Sequence, residues 1–451
     1  MSNQDNSYKV GMSVIGSIFF IFGFATTFIV TLTAPVKEIF GLSEFGAQLL
    51  SSAFFIAYPI MSIPTGRIID RIGYKWAVIV GLLLMALGSF IYIPAAQLPS
   101  FPIFLFGTFV LATGVVFLQV AANPFVTAIG PEKTASSRLN LTQALNSIAT
   151  MIAPWLISVV IFKGLVFPAD AAVAADRVPM PFIVLGVFVV LVAFAIYKIK
   201  LPVIINTQTK EKKSILKYPH VILGAIAIFF YVGAEVGNAG LIVNYLKFTL
   251  GFTPEEASTY AAIYWGGAMI GRFFGSFMFS EMKTSKKYLY ALPVLLLALV
   301  SGSFVTSWNW NIGLIFTGVA AINFFIMQFG RGKAARTLAV FALIAAILDL
   351  TTSFTTGNAT VALWTIISIG LFNSIMFPNI FTLAVKDLDN AELSGASGLI
   401  NALILGGAII PLIMGGVADS FGYTWAFIVP AICYLYIFYY AVKGSTIRRL
   451  V

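Results

Sequence analysis

Apolar residues run along this chain in long blocks, cut by short clusters of charge, glycine or proline, and with little of the alternation that marks a half-exposed strand. The blocks fall at about 10–36, 45–69, 74–97, 101–129, 136–163, 180–200, 218–248, 255–281, 287–307, 311–329, 335–355, 360–385, 394–417 and 423–443, fourteen in all. A helix needs about 20 apolar residues to cross the hydrocarbon core of a bilayer, whereas a barrel strand needs only about ten. Backbone polar groups within lipid must be satisfied inside the segment, so blocks of this length predict helices. The pattern predicts an all-α, multi-pass membrane protein.

Charge sorts these spans. With the N-terminus on the inside, odd–even alternation puts twenty-three basic residues on cytoplasmic ends, among them Lys9, Arg67, Arg71, Lys75, Arg138 and Arg331. The outside receives four: Lys37, Lys163, Arg177 and Lys247. That bias predicts cytoplasmic termini and an even number of spans in a plasma (inner) membrane. Met1 to Lys9 is polar and leads straight into a long helix, unlike a cleaved signal. Composition agrees, with 59% hydrophobic and 10% charged residues and a mean hydropathy of +0.96; soluble domains carry about 25% charge. The net charge of +10 is spread between spans, which fits membrane anchoring and not nucleic acid. One cysteine, Cys433, and one histidine, His220, exclude a disulfide within the chain, a CxxC pair and a two-histidine metal motif.

The halves echo each other. Pro124 and Pro154 bracket a charged loop in the first half, as Pro378 and Pro411 do in the second, at spacings of 30 and 33. Ser137 to Pro154 and Ser394 to Pro411 are both 17 apart. Interrupted helices at matching places in two halves point to a transporter that rocks about a central site. Between the second and third spans lies GRIIDRIGYK, residues 66–75. Gly66 and Gly73 would allow close helix approach and a tight turn, and Asp70 would pair with a cation such as Arg138 or cap a helix N-terminus. Together with Arg71 and Lys75 they read as a conformational latch.

That stretch matches the G-x-x-x-D-R-x-G-x-K signature of the major facilitator superfamily. The blocks AFFIAYPIMSIPTGRIIDRIGYK (53–75), FLQVAANPFVTAIGPEKTASSRLNLTQALNSIATMIAP (117–154), FYVGAEVG (230–237), YWGGAMIGRFFGS (264–276) and LFNSIMFPNIFTLAVKDL (371–388) resemble the fucose/galactose/glucose permease family within it. The resemblance implies two six-helix bundles related by a pseudo-twofold repeat, rocking around an aqueous cavity. Since 335–353 resembles the ninth core helix, residues of about 286–330 are expected to be an inserted hairpin, tipped outside by Trp308 and Trp310. The expected organisation is 1–200 for the first bundle, 201–217 for a cytoplasmic linker and 218–451 for the second bundle with its hairpin. A monomer is expected.

A hexose is a ring of hydroxyls, matched by amides and carboxylates with an aromatic face beneath. Polar side chains inside the membrane should face the cavity. Gln119 and Asn123 share one helix face, as do Asn140, Gln143 and Asn146, and Glu235 lies three residues from Asn238. Tyr264 and Trp265 offer stacking surfaces, and Asn373 precedes Pro378, which frees a backbone carbonyl. The resemblance carries substrate binding onto Gln143 and Asn146. Amides also join helices in lipid, at about 1 kcal/mol each, so each of these residues has two readings. The ladder Gly267, Gly271, Gly275 reads as helix packing, Arg272 as a structural cation near the cytoplasmic end, and His220 as interfacial.

Coupling departs from the resemblance. Proton-coupled relatives carry acids where this chain has Val30 and Gln119. Glu235 is expected to be the acid nearest mid-membrane, with Asp349 nearer the outside and peripheral. Thr26, Thr27 and Thr33 place hydroxyls around Val30. Three roles stand for Glu235: carrying a coupled proton, joining threonine hydroxyls such as Thr26 and Thr27 in a sodium site, or binding sugar in a uniporter. Cation-coupled sugar symport is the favoured function, with a uniporter or a facilitator-type exporter of another small solute as alternatives. No cofactor or metal beyond the coupled ion is implied. No nucleophile–base pair or metal cluster supports an enzyme, and no phosphate loop supports an ATP-driven pump.

Overall fold

The computed structural model describes residues 3–97, 100–128, 135–165, 170–199, 215, 217–279, 282–355, 357–388 and 390–447. The side chains of Asp70, Asn123, Arg138 and Asn140, and most of the expected linker, lie outside the described residues. All regular structure in the described residues is helical. In chain order the long helices are α1 (Met12–Phe40), α2 (Glu44–Ile69), α3 (Arg71–Ala96), α4 (Phe101–Ala122), α5 (Thr142–Phe162), α6 (Ala171–Lys198), α7 (Pro219–Leu250), α8 (Pro254–Met278), α9 (Thr284–Val305), α10 (Trp310–Gln328), α11 (Ala334–Phe354), α12 (Ala359–Ala384), α13 (Gly395–Phe421) and α14 (Tyr423–Gly444). Thirteen of these, all but α8, are long and apolar enough to cross a membrane.

Local chemistry sets the joints. Ser43 caps α2 by accepting from the Gly46 N–H at 3.1 Å, and Thr253 with Glu256 forms a reciprocal capping box at α8, with Pro254 in its first turn. Asn309 and Asn358 accept from the first N–H groups of α10 and α12. Gly73 (φ 80°, ψ 165°) separates α2 from α3, and Gly422 (φ 94°, ψ 159°) separates α13 from α14. Backbone at such φ is open to glycine and strained for other residues. Pro154 lies within α5, which widens into a π-turn over Ser158–Phe162. In the second half a 3₁₀ turn at Leu403–Leu405 precedes Pro411 in α13, and α12 is interrupted after Asn373 before resuming at Met376.

Helices α1–α6 pack on one another, as do α7, α8 and α11–α14, and the two bundles meet along α2 with α13, α5 with α8 and α1 with α7. Helices α9 and α10 pair with each other and lean on α8. They are the least buried of the apolar helices. Buried α8 explains its own lower hydropathy. Packed against α5, α7, α9 and α12, it needs no greasy lipid face and carries glycines instead. Gly267 and Gly271 bring it within van der Waals range of the α12 backbone, where an added Cβ would meet Leu371 N and Leu371 O, both at 2.9 Å. The ladder is packing, as its spacing suggested.

At the end of the molecule that carries Glu44, the bundles are tied by hydrogen bonds. Asp419, at the end of α13, accepts from the Glu44 and Phe45 N–H groups at 2.7 and 2.8 Å. Together with Ser43 it answers the otherwise unpaired donors of the first turn of α2, and its charge lies on the positive end of that helix. Glu44, almost fully buried, pairs with Lys37 at 3.0 Å and accepts from Tyr423 at 2.9 Å and Asn244 at 3.0 Å. Ser52 donates to Ala408 O, Ser158 to Glu255 O and Ser258 to Pro154 O. Lys247 pairs with Glu38, and Arg177 donates to the Ile161 and Lys163 carbonyls. Three of the four basic residues that defied the charge bias thus have fixed partners at this end.

Candidate functional site

Midway along the second bundle, polar side chains from four helices join in one buried network. On α7, the Tyr231 hydroxyl donates to Glu235 Oε1 at 2.7 Å and lies 3.1 Å from the Asn373 carbonyl. That carbonyl is left open by the break in α12. Asn373, fully buried, donates through Nδ2 to the Tyr264 hydroxyl at 2.9 Å and accepts at Oδ1 from Tyr434 at 2.6 Å. Tyr264 in turn donates to the Glu235 carbonyl at 3.2 Å. Arg272 lies 3.9 Å from Glu235 Oε1, donates from Nε to Ser374 O at 3.3 Å, and reaches across to Ser147 Oγ on α5 at 2.8 Å. Pro378 has no N–H to bond to Ser374 O four residues back. The carbonyl that proline frees is the one Arg272 takes.

Two expectations are corrected here. Arg272 is not a cation confined to a helix end: its long side chain runs inward to a carboxylate, so Glu235 is not a lone charge. Asp349 is not peripheral. It is 0% exposed, faces α7, and is approached by Asn238 Nδ2 at 3.5 Å. Asn238 is likewise 0% exposed.

The remaining candidates separate into several places. Gln119, half-buried, donates to the Tyr58 hydroxyl at 2.9 Å, and Tyr58 stacks on Phe55. Gln143 is also half-buried. Asn146 donates to the Phe19 carbonyl at 3.0 Å, a bond that fastens α5 to α1. Trp265 is buried edge-on to Tyr264, and its indole N–H has no protein partner among the described residues. Thr26 and Thr33 return their hydroxyl protons to backbone carbonyls, whereas Thr27 Oγ1 is buried and unpartnered. His220 is buried at the start of α7, with Nε2 against the Lys386 carbonyl. The structure thus joins Glu235, Tyr264, Trp265, Arg272 and Asn373, and leaves Gln119 and Asn146 on contacts of their own.

Among the residues expected to form a latch, Gly73 makes a turn and Arg71 is exposed. Lys75 donates to the Tyr197 and Ile199 carbonyls at 2.9 and 2.8 Å, capping the end of α6. Gly66 does not serve close approach: a Cβ there would meet nothing within 4 Å among the described residues.

Sequence reasoning missed the Glu44–Lys37–Asn244–Tyr423–Asp419 cluster. The available signals were Lys37, stranded on the side poor in basic residues, and Ser43-Glu44 at a helix start.

The Major Facilitator Superfamily profile matches residues 14–332. A glucose/galactose transporter of Brucella abortus is 38% identical over 452 residues, covering 98% of this chain and 96% of that protein. An L-fucose-proton symporter of Escherichia coli is 29% identical, covering 98% and 94%. The crystal structure of the Escherichia coli fucose:proton symporter superposes with a TM-score of 0.64 at 27% identity, covering 98% of this chain and 100% of that one.

Proposed function

This chain belongs to the major facilitator superfamily, and from that premise we propose that it moves a hexose across a membrane by alternating access, coupled to a cation. It is a multi-pass membrane transporter and not an enzyme. The observation that carries the sugar reading is the buried network of Glu235, Tyr231, Tyr264, Arg272 and Asn373, which spans the second bundle and touches the first through Ser147. A carboxylate, a guanidinium and an amide fixed by tyrosines present the donors and acceptors that ring hydroxyls need. The unpartnered indole N–H of Trp265 offers one more donor beside them. Named relatives that handle glucose, galactose and fucose support the substrate class.

Around that site the rest of the reading is arranged. Residues 1–200 form one rocking unit and 218–451 the other, with 201–217 as a cytoplasmic linker and 286–330 as an inserted hairpin. Helix α8 makes a fourteenth crossing. The charge bias puts the Lys75 end and both termini in the cytoplasm of a cell with this protein in its inner membrane, and the Glu44 end outside. The protein works as a monomer. The proposed sugar-binding set is Gln119, Asn123, Gln143 and Asn146 in the first bundle and Glu235, Asn238, Trp265 and Asn373 in the second. Gly66, Asp70, Arg71, Gly73, Lys75 and Arg138 form the latch.

Counterflow in proteoliposomes tests this. Labelled glucose, galactose, fucose and N-acetylglucosamine are offered in turn against an unlabelled internal pool. At least one hexose should exchange, and Glu235→Gln should slow that exchange at least tenfold by loosening Arg272 and Tyr231. Absence of exchange for every sugar by the unaltered chain would remove the proposal.

A further inference from the structure

Two carboxylates lie inside the second bundle, and their surroundings differ in kind. Glu235 has a cation, Arg272, and a phenol donor, Tyr231. Protonating it would remove the negative charge that faces the guanidinium. Asp349 forms no ion pair among the described residues, and its Oδ1 is buried with no hydrogen-bond partner. The amide that approaches its other oxygen, Asn238, also leaves its own Oδ1 buried and unpartnered. Two buried acceptors on neighbouring side chains, neither with a donor among the described residues, are costly unless something positive is shared.

We infer that Asp349 and Asn238 form the binding site for the coupled cation, taken either as a proton on the Asp349 carboxyl, donated toward the Asn238 carbonyl oxygen, or as a sodium ion held between the two oxygens. The other groups facing Asp349 do not compete for this role. Helix α8 brings Tyr264, and α14 brings Cys433 and Tyr434, all neutral in their ordinary state. Helix α7 brings Asn238 and Tyr245, the latter bonded to the Thr352 carbonyl at 3.4 Å. Helices α10 and α12, also packed on α11, contain no titratable side chain.

The placement links cation to sugar. Asn238 lies three residues from Glu235 on α7, and Tyr264, whose hydroxyl takes part in the Glu235–Asn373 network, also faces Asp349. Filling the Asp349 site therefore acts on the same helix and the same tyrosine that hold the sugar groups. It also accounts for a transporter that lacks acids at Val30 and Gln119: the charge that drives uptake is bound in the other bundle.

This rests on the sugar-transport reading, and the experiment separates the two. Proteoliposomes carrying the unaltered chain, Asp349→Asn or Asp349→Glu are given the exchanged hexose in three arms: no gradient, an inward proton gradient, and an inward sodium gradient. The unaltered chain should accumulate sugar in one gradient arm, which identifies the ion. Asp349→Asn should keep exchange within about threefold but fail to accumulate, and Asp349→Glu should recover part of the accumulation. Carbodiimide labelling read by mass spectrometry is a second measurement on the unaltered chain. The adduct should form at Asp349 in preference to Glu235, and the coupled cation should change its rate. Full accumulation by Asp349→Asn, accumulation by the unaltered chain in neither gradient, or an adduct confined to Glu235 would overturn the site while exchange stood. Loss of all exchange by the unaltered chain would overturn the sugar reading, and this inference with it.

Discussion

The two ends of the molecule carry the same short run of residues in different packing. At one end Gly66, Asp70, Gly73, Tyr74, Trp76 and Ala77 cross from α2 to α3; at the other Gly415, Asp419, Gly422, Tyr423, Trp425 and Ala426 cross from α13 to α14 at identical spacing. Gly73 and Gly422 adopt nearly the same backbone angles. What differs is the engagement. Gly415 lies so close to α2 that a Cβ would come within 2.9 Å of the Phe45 backbone, and Asp419 holds two of its N–H groups. At its glycine, one copy is packed against the other bundle, and at the other glycine, Gly66, no described residue comes close. Helices α2 and α13 pack together, so a rocking motion that frees Asp419 from the start of α2 is the motion expected to carry Asp70 to the start of α13.

The packed copy gives the largest test. Hydrogen bonds from backbone N–H groups to a carboxylate are worth about 1.5–3 kcal/mol each, and about 1.4 kcal/mol is tenfold in an equilibrium. Asp419→Ala should therefore open the Glu44 end. Ser258→Cys, buried in the α5–α8 seam, reports this as maleimide labelling in a Cys433→Ser background, and its rate should rise at least tenfold. A rate equal to the parent's would mean that Asp419 does not hold the seam.

A smaller effect separates the two glycines. Gly415→Ala forces a backbone to move, because the new methyl would sit 2.9 Å from Phe45 N and Cα. Labelling of Ser258→Cys should rise about fivefold. Gly66→Ala adds a methyl where no described residue lies within 4 Å and should leave that rate within about twofold of the parent. Equal effects from the two substitutions would erase the distinction between the two copies.

The comparison also marks how far sequence reading reached. Helix type was legible because lipid leaves a chain few choices: long apolar runs must be helices, and Gly73, Pro219 and Pro254 mark their edges. Helix α8, flagged by its glycines and by Tyr264 and Trp265, was legible as a helix, although burial against other helices spares it a greasy face. Within the site, Glu235 and Asn373 were found because a polar group in an apolar run must be answered by something. What answers it was not legible. Arg272 looked like a helix-end cation because its Cα position says nothing of a side chain that extends toward Glu235, and Asp349 looked peripheral because helix position alone does not fix which face turns inward. Asp419 was passed over since an acid at the end of a span resembles any interfacial residue; only its distance from the Glu44 and Phe45 N–H groups distinguishes it.

The smallest effect is the most searching. If the two segments dock in turn, Asp70→Ala removes a contact that belongs to the alternative state, and it should favour the state described here. Labelling of Ser258→Cys should then fall, in the opposite sense to Asp419→Ala. The fall is bounded: when the Glu44 end is already closed in most molecules, further stabilisation of that state can only trim a minor population, and a drop of about twofold is the expected size. Combining Asp70→Ala with Asp419→Ala removes that ceiling, because the second substitution first raises the open population. In the double variant Asp70→Ala should pull labelling back by several-fold relative to Asp419→Ala alone. A further rise would mean that Asp70 also helps to close the Glu44 end, and that the two segments share a spacing without sharing a task.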